Sequence, residues 1–264
     1  MVPNVMAPHS IRRLRSSHLV MALAIAGIAL GADTTPPVDT AADAATDSEF
    51  QFVRLAYSSG GYFGRRQRWL TDWPEAEEHL LGGVHRLTRV RVGTEGEQIA
   101  IMDENLFDHP WLYAVEVGGW VLDDTEAARL RDYLLRGGFL VVDDFHGTRE
   151  WAGFVASMQR IFPDRPIVDI PMDDPVFHVV YDLEDRVQIP GIMVLSTGVT
   201  YERDGYTPQW RGIYDDQDRL MVVINFNMDL GDGWEHADTP EYSLQYTTRA
   251  YQYAINYIVY AMTH

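Results

Sequence analysis

Arg136-Gly137-Gly138-Phe139-Leu140-Val141-Val142-Asp143-Asp144-Phe145-His146-Gly147 carries the strongest structural signal in this chain. A helix ends on glycine, a wholly apolar strand follows, and the strand delivers two carboxylates and an imidazole to its carboxyl end. An unbroken apolar run is what a central parallel strand needs when both its faces are covered. In open α/β sheets ligands bind at the carboxyl edge, so the same run marks where a site would lie. It specifies no reaction.

On the amino-terminal side, Asp123-Asp124-Thr125-Glu126 caps the preceding helix, with Ala127, Leu130 and Leu134 on one face and Gly137 as the left-handed stop. Before it, Phe50 to Tyr57 alternates apolar and polar and reads as a first strand, Gln98 to Asp103 as a second, and Trp111 to Val117 as a third ending in Gly118-Gly119. Asp72-Trp73-Pro74-Glu75 has the form of a capping box opening a helix to about Arg89. On the carboxyl side, a helix starts at Thr148 and reaches Ile161 or Phe162. Strands are expected near Ile167–Ile170, Phe177–Asp182 and Met193–Ser196, and Gly212–Tyr214 should pair with Leu220–Phe226 as a hairpin. Thr239-Pro240-Glu241 caps a terminal helix with stripes Ala250, Ala254, Ile258, Met262 and Tyr251, Ile255, Val259. Strand and helix alternate, so the predicted fold is α/β: a doubly wound, mainly parallel sheet of flavodoxin-like type with an antiparallel edge hairpin.

The first 32 residues read as a secretory signal peptide: Arg12, Arg13 and Arg15, then the apolar run Leu19–Leu30, then Gly31-Ala32 before the cut. The apolar run is shorter than the ~20 residues a bilayer span needs; left uncleaved it would serve as an N-terminal anchor. The Arg-Arg pair hints at twin-arginine export. Residues 33–47, rich in Ala, Thr, Asp and Pro, read as a disordered linker, and 48–264 as a single α/β domain. The predicted location is periplasmic or otherwise exported, with no membrane span after cleavage.

Cysteine and lysine are both absent. That removes disulfides, thiol nucleophiles, thiolate metal sites and Schiff-base chemistry. Formal net charge is −18, and losing residues 1–32 takes three arginines and no acids, giving −21. Such a surface repels nucleic acid and anionic lipid. Cations, neutral sugars or a basic protein partner suit it better.

The blocks Phe52-Val53-Arg54-Leu55-Ala56-Tyr57, Trp69-Leu70-Thr71-Asp72-Trp73-Pro74 and Leu130 through Asp144 resemble the bacterial family catalogued as domain of unknown function 4159, from about Phe50 to the C-terminus. More distantly, the chain resembles the class I glutamine amidotransferase-like fold, including its trehalose-utilisation branch. The resemblance implies a strand ending in two glycines, here Glu116-Val117-Gly118-Gly119, then a helix, then a strand carrying a nucleophile at a sharp turn. The amidotransferase cysteine is replaced by Asp or Phe, depending on register. No amide-transfer role carries over; only the location of a pocket does.

Asp143, Asp144 and His146 form the first candidate constellation, with Glu116 at the end of the neighbouring strand as the natural fourth member. Asp144 and His146 would share a side of an extended strand. Together they could ligate a divalent metal or act as a base oriented by a carboxylate; equally, an aspartate could cap the following helix. Tyr57, Tyr62 and Arg65, with Gly118 and Gly119, could contact a sugar or carboxylate, although glycine-rich loops are also ordinary connectors. Asn225, Asn227, Asp229 and Asp232, with Gly231 and Gly233, read as a tight turn with oxygen ligands suited to Ca²⁺ but no EF-hand spacing. His178, inside an apolar run, reads as a satisfied core residue. The serines lack a nucleophile elbow.

These features predict an exported domain that binds a small polar ligand or an envelope protein partner at the carboxyl edge, without catalysis. The rival is a metal-assisted hydrolase of a glycan or cell-envelope substrate, with Asp143, Asp144, His146 and Glu116 around an activated water. A scaffold in an envelope complex is the third class.

Overall fold

The computed structural model describes residues 48–60 and 67–264. The expected signal peptide and linker, and Tyr62 and Arg65, lie outside the described residues. The strands are β1 (Val53–Ala56), β2 (Ser58–Ser59), β3 (Glu97–Ala100), β4 (Trp111–Val115), β5 (Trp120–Val121), β6 (Phe139–Asp143), β7 (Val168–Asp169), β8 (Gln209–Tyr214) and β9 (Leu220–Phe226). The helices are α1 (Glu75–Leu87), α2 (Asp124–Leu135), α3 (Gly147–Ile161), α4 (Val194–Thr197), α5 (Leu230–Glu235) and α6 (Leu244–Thr263).

Seven strands form one α/β sheet in the order β3-β1-β4-β6-β9-β8-β7. The first five run parallel; β8 is antiparallel to β9, and β7, antiparallel to β8, points the same way as the first five. β2 and β5 make a separate antiparallel pair. Numbered along the chain, the five parallel strands lie 2-1-3-4-5, so the winding reverses between β1 and β4. Val115 pairs with Asp143 and Val142 with Ile224. The register thus aligns the ends of β4, β6 and β9 on one edge.

All five residues of β6 are buried because helices cover both faces. Phe139 and Val141 face α1, α5 and α6, with Phe52, Tyr113 and Val223. Leu140 and Val142 face α2 and α3, with Leu55, Ala114 and Ile224. Each such side chain gains roughly 1.5–3 kcal/mol on leaving water. The alternation in β1 has another meaning than a half-exposed strand: Arg54 is fully buried and pairs with the equally buried Glu77 of α1. Its Nη1 donates to the carbonyls of Trp69 and Thr71.

Several boundaries and elements depart from the predicted ones. The Asp123–Glu126 capping box forms, and Gly137 takes φ 111° to end α2. At α1, by contrast, Pro74 is the N-cap and Asp72 makes no capping bond. The expected strand at Phe177–Asp182 is instead a 3-10 turn, Pro175–Phe177, started by Pro175, with Asp174 capping Val176 N. Met193–Ser196 is not a strand either. Val194–Thr197 is a single helical turn stopped by Gly198 at φ 68°. α6 begins after Ser243, whose hydroxyl accepts from Gln245 N, rather than at Thr239. The β8–β9 hairpin forms, but β9 continues the parallel run, so β8 alone is reversed and makes antiparallel pairs with β9 on one side and β7 on the other.

Candidate functional site

The strand ends collect acids. Asp143, the last residue of β6, is wholly buried, and its Oδ2 accepts from Tyr113 Oη (2.9 Å), Leu230 N (2.7 Å) and Gly231 N (3.1 Å). Its Oδ1 has no hydrogen-bond partner among the described residues. Burial, and then the charge of Asp144, raise its pKa to about 7, against the opposing hydrogen bonds.

Asp144 sits at φ 48°, so the strand does not stay extended there. Asp144 and His146 nevertheless meet: Nε2 lies 3.0 Å from Asp144 Oδ1. Nδ1 of His146 is buried without a partner. Burial opposes protonation of this imidazole, but its hydrogen bond to Asp144 and the nearby carboxylates outweigh it and raise the pKa. Neither aspartate caps α3. Asp204 accepts from Thr148 N and hydroxyl, Asn227 Oδ1 from Gly147 N, and Glu150 from His146 N.

The turn after β9 faces this pair. Asp229 caps α5 by accepting from Asp232 N at 2.8 Å, as a tight Asx turn should. Its position also makes it part of a cluster, because oxygens of Asp72, Asp229 and Asp232 all lie within 4.8 Å of one another. Asp72, held at φ 64°, has its Oδ2 buried and unpartnered. Burial first, then the charges of Asp144 and Asp232, push the Asp72 pKa well above the carboxylate range, and Asp229 is raised for the same reasons. Asp232 is shared with a second group, Glu235 and His236. Asn225 and Asn227 are architectural by contrast: Asn225 accepts from Tyr257 Oη, and Asn227 Nδ2 donates to the carbonyl of Thr207.

Glu116 stands apart from these carboxylates. At φ 57°, it forms an ion pair with Arg68, whose guanidinium also approaches buried Glu150 at 3.8 Å. Arg203 donates to the other oxygen of Glu150 at 2.8 Å. The Tyr57 hydroxyl is committed to the carbonyls of Val115 and Glu116. Gly118 packs on α3, where a Cβ would strike Glu150, and Gly119 O accepts from Gly60 N. His178 is in a loop, 3.1 Å from Asp182 Oδ1 and 2.7 Å from Met172 O, so it is satisfied but not in the core.

A cavity of about 350 Å³ adjoins the cluster, lined by Gly191, Met193, Val194, Tyr201, Glu202 and Arg203 among others. A larger one, about 540 Å³, runs along α1 and α6, away from the strand ends. Asp72, Glu150, Glu202 and Arg203 were not singled out from the sequence. Asp72 read as a cap, Glu150 as an ordinary first-turn acid of the helix after Asp143, and Glu202 and Arg203 lie far along the chain with no motif to join them.

With this geometry in place, a family model described as Domain of unknown function (DUF4159) matches residues 51–262. The chain belongs to this family. No curated protein matches it. Within the DUF4159 domain, and among the described residues, no helix is long and apolar enough to cross a membrane.

Proposed function

We propose that this domain binds a divalent cation at the carboxyl edge of its sheet through Asp72, Asp229 and Asp232, and that the cation holds a small polar ligand there. One observation carries the reading: three carboxylates converge within 4.8 Å, beside Asp143 and Asp144, where water is largely excluded. Like charges so close repel strongly unless shared protons or a cation intervene. Hard oxygen donors select Ca²⁺, Mg²⁺ or Mn²⁺. The 2-1-3-4-5 strand order matches the flavodoxin-type doubly wound sheet, whose ligands bind at this edge. The amidotransferase resemblance would put its cysteine at the turn after β6, at Asp (Asp144 has φ 48°) or Phe depending on register, which supports the location and no more. Export, as the N-terminal sequence suggests, would put this edge outside the cytoplasm.

A second reading, metal-assisted hydrolysis of a glycan or envelope substrate, is favoured by His146. Its Nε2 is tied to Asp144 while Nδ1 is unpartnered, the arrangement of a base oriented by a carboxylate.

Equilibrium dialysis with elemental analysis tests the first reading. About one equivalent of Ca²⁺ or Mn²⁺ is expected per chain, falling at least about tenfold in affinity in Asp229→Asn or Asp232→Asn, since each removes a charged ligand. No uptake at millimolar cation overturns it. For the second reading, His146→Gln should keep the cation and abolish turnover of any substrate found.

A further inference from the structure

Resting on the cation reading, we infer that the ligand is an anion, a carboxylate or phosphate monoester on a short apolar body, seated in the 350 Å³ cavity between the cation and Arg203.

The cavity and the carboxylate cluster share a wall at Gly191. A Cβ built there would lie 3.1 Å from Asp229 Oδ2, Asp232 Oδ2 and Glu202 Oε1 alike. The bare α-carbon therefore leaves these three oxygens directly behind the cavity wall, and any side chain would crowd them. Glu202 accordingly stands on the cation's side of the cavity. Offering one oxygen each, three or four carboxylates leave open positions among the six to eight oxygens Ca²⁺ takes or the six of Mg²⁺. Ligand oxygens entering from the cavity would complete the shell.

Arg203 supplies a second positive group at the same cavity. It lines the same cavity at φ 52°, a backbone region that side chains other than glycine rarely enter. Its Nη1 holds Glu150, while Nε and Nη2 make no hydrogen bond within the described residues, and 39% of the side chain is exposed. A planar fork with open donors matches a carboxylate or phosphate bidentately. His146 adds a buried, unpartnered Nδ1 in the same neighbourhood, where the charges of Glu202 and Arg203 both act on the ring. The remaining wall is mostly apolar, with exposed Met193 (57%), Val199 (37%) and Tyr201 (40%) and half-buried Val194, interrupted by Thr197 and Thr200. A cavity of this size with one charged corner and an apolar flank takes a small amphiphile rather than a free inorganic ion.

The test uses the full chain with Ca²⁺ present and, separately, with chelator, titrated calorimetrically with phenyl phosphate, benzoate, benzyl alcohol and benzylamine. Phenyl phosphate or benzoate should bind only with the cation, and Arg203→Met should weaken that binding at least about tenfold without lowering Ca²⁺ affinity, since it removes a positive charge near the cation. Val199→Trp, which fills the cavity from its apolar flank and replaces none of the proposed cation ligands, should block the probe and also spare the cation. Equal binding of benzyl alcohol or benzylamine overturns the inference, as does anion binding indifferent to both variants. Ca²⁺ uptake with no anion binding removes the inference and leaves the cation reading standing. No uptake of Ca²⁺, Mg²⁺ or Mn²⁺ removes both.

Discussion

The hydroxyl of Tyr113 donates to Asp143 Oδ2 at 2.9 Å, across the boundary between β4 and β6 and beneath the turn that carries Asp229. That bond and two amides favour the ionised carboxylate, yet burial and Asp144 prevail and hold its pKa near 7. In the unfolded chain the same group ionises near 4. Between those values the folded state binds more protons than the unfolded one, so stability is highest at low pH and falls as pH rises through the window. Urea midpoints in chelator should therefore drop from pH 5 to pH 8, and Asp143→Asn should flatten the drop. Excess Ca²⁺ should restore the pH 8 midpoint. A midpoint that climbs over this range would contradict the assignment.

Gly153 of α3 lies against the carbonyl of Gly118, so closely that an added Cβ would overlap that oxygen. Alanine normally favours a helix over glycine by about 1 kcal/mol. Here the backbone at 117–119 would have to retreat, and overpacking of this kind costs about 1–3 kcal/mol. Gly153→Ala should thus destabilise. Gly82→Ala in α1, where nothing lies within 4 Å of the new methyl, should stabilise by about 0.5–1 kcal/mol. Chemical denaturation of the two variants side by side separates close packing from helix propensity.

Local patterns made the layered fold legible, and distant pairings hid most of the site. The Asp123 capping box, the Gly137 stop and the apolar run of β6 each act over a few residues, and they form as read. Phe177–Asp182 misled because its apolar composition lies behind Asp174-Pro175, whose local geometry starts a 3-10 turn. The meeting of Asp72 with Asp229 and Asp232 depends on the order of five parallel strands, which no single segment encodes. Asp72 also looked like a cap, since Asp before Trp-Pro-Glu usually is one. Its unpartnered oxygen is legible only in three dimensions.

Arg54 and Glu77 show the same limit and lead to a sharper test. Both are fully buried and ion-paired, Arg54 Nη2 and Glu77 Oε2 lack hydrogen bonds, and the guanidinium lies 5.2 Å from the Tyr113 ring. Burial raises the Glu77 pKa, and Arg54 pulls it back down. Removing one partner leaves a charge or polar group stranded in the core, which costs about 3–5 kcal/mol. Arg54→Met would also free the carbonyls of Trp69 and Thr71, loosening the segment that positions Asp72. Replacing both partners with apolar residues of similar volume is often neutral or better. Arg54→Met and Glu77→Leu should therefore each destabilise strongly, while the double variant recovers most of the loss in a double-mutant cycle. If the double variant regains stability but loses cation uptake, the pair serves to fix the loop beneath Asp72. If the two losses simply add, the pair is not the coupled unit that its geometry indicates.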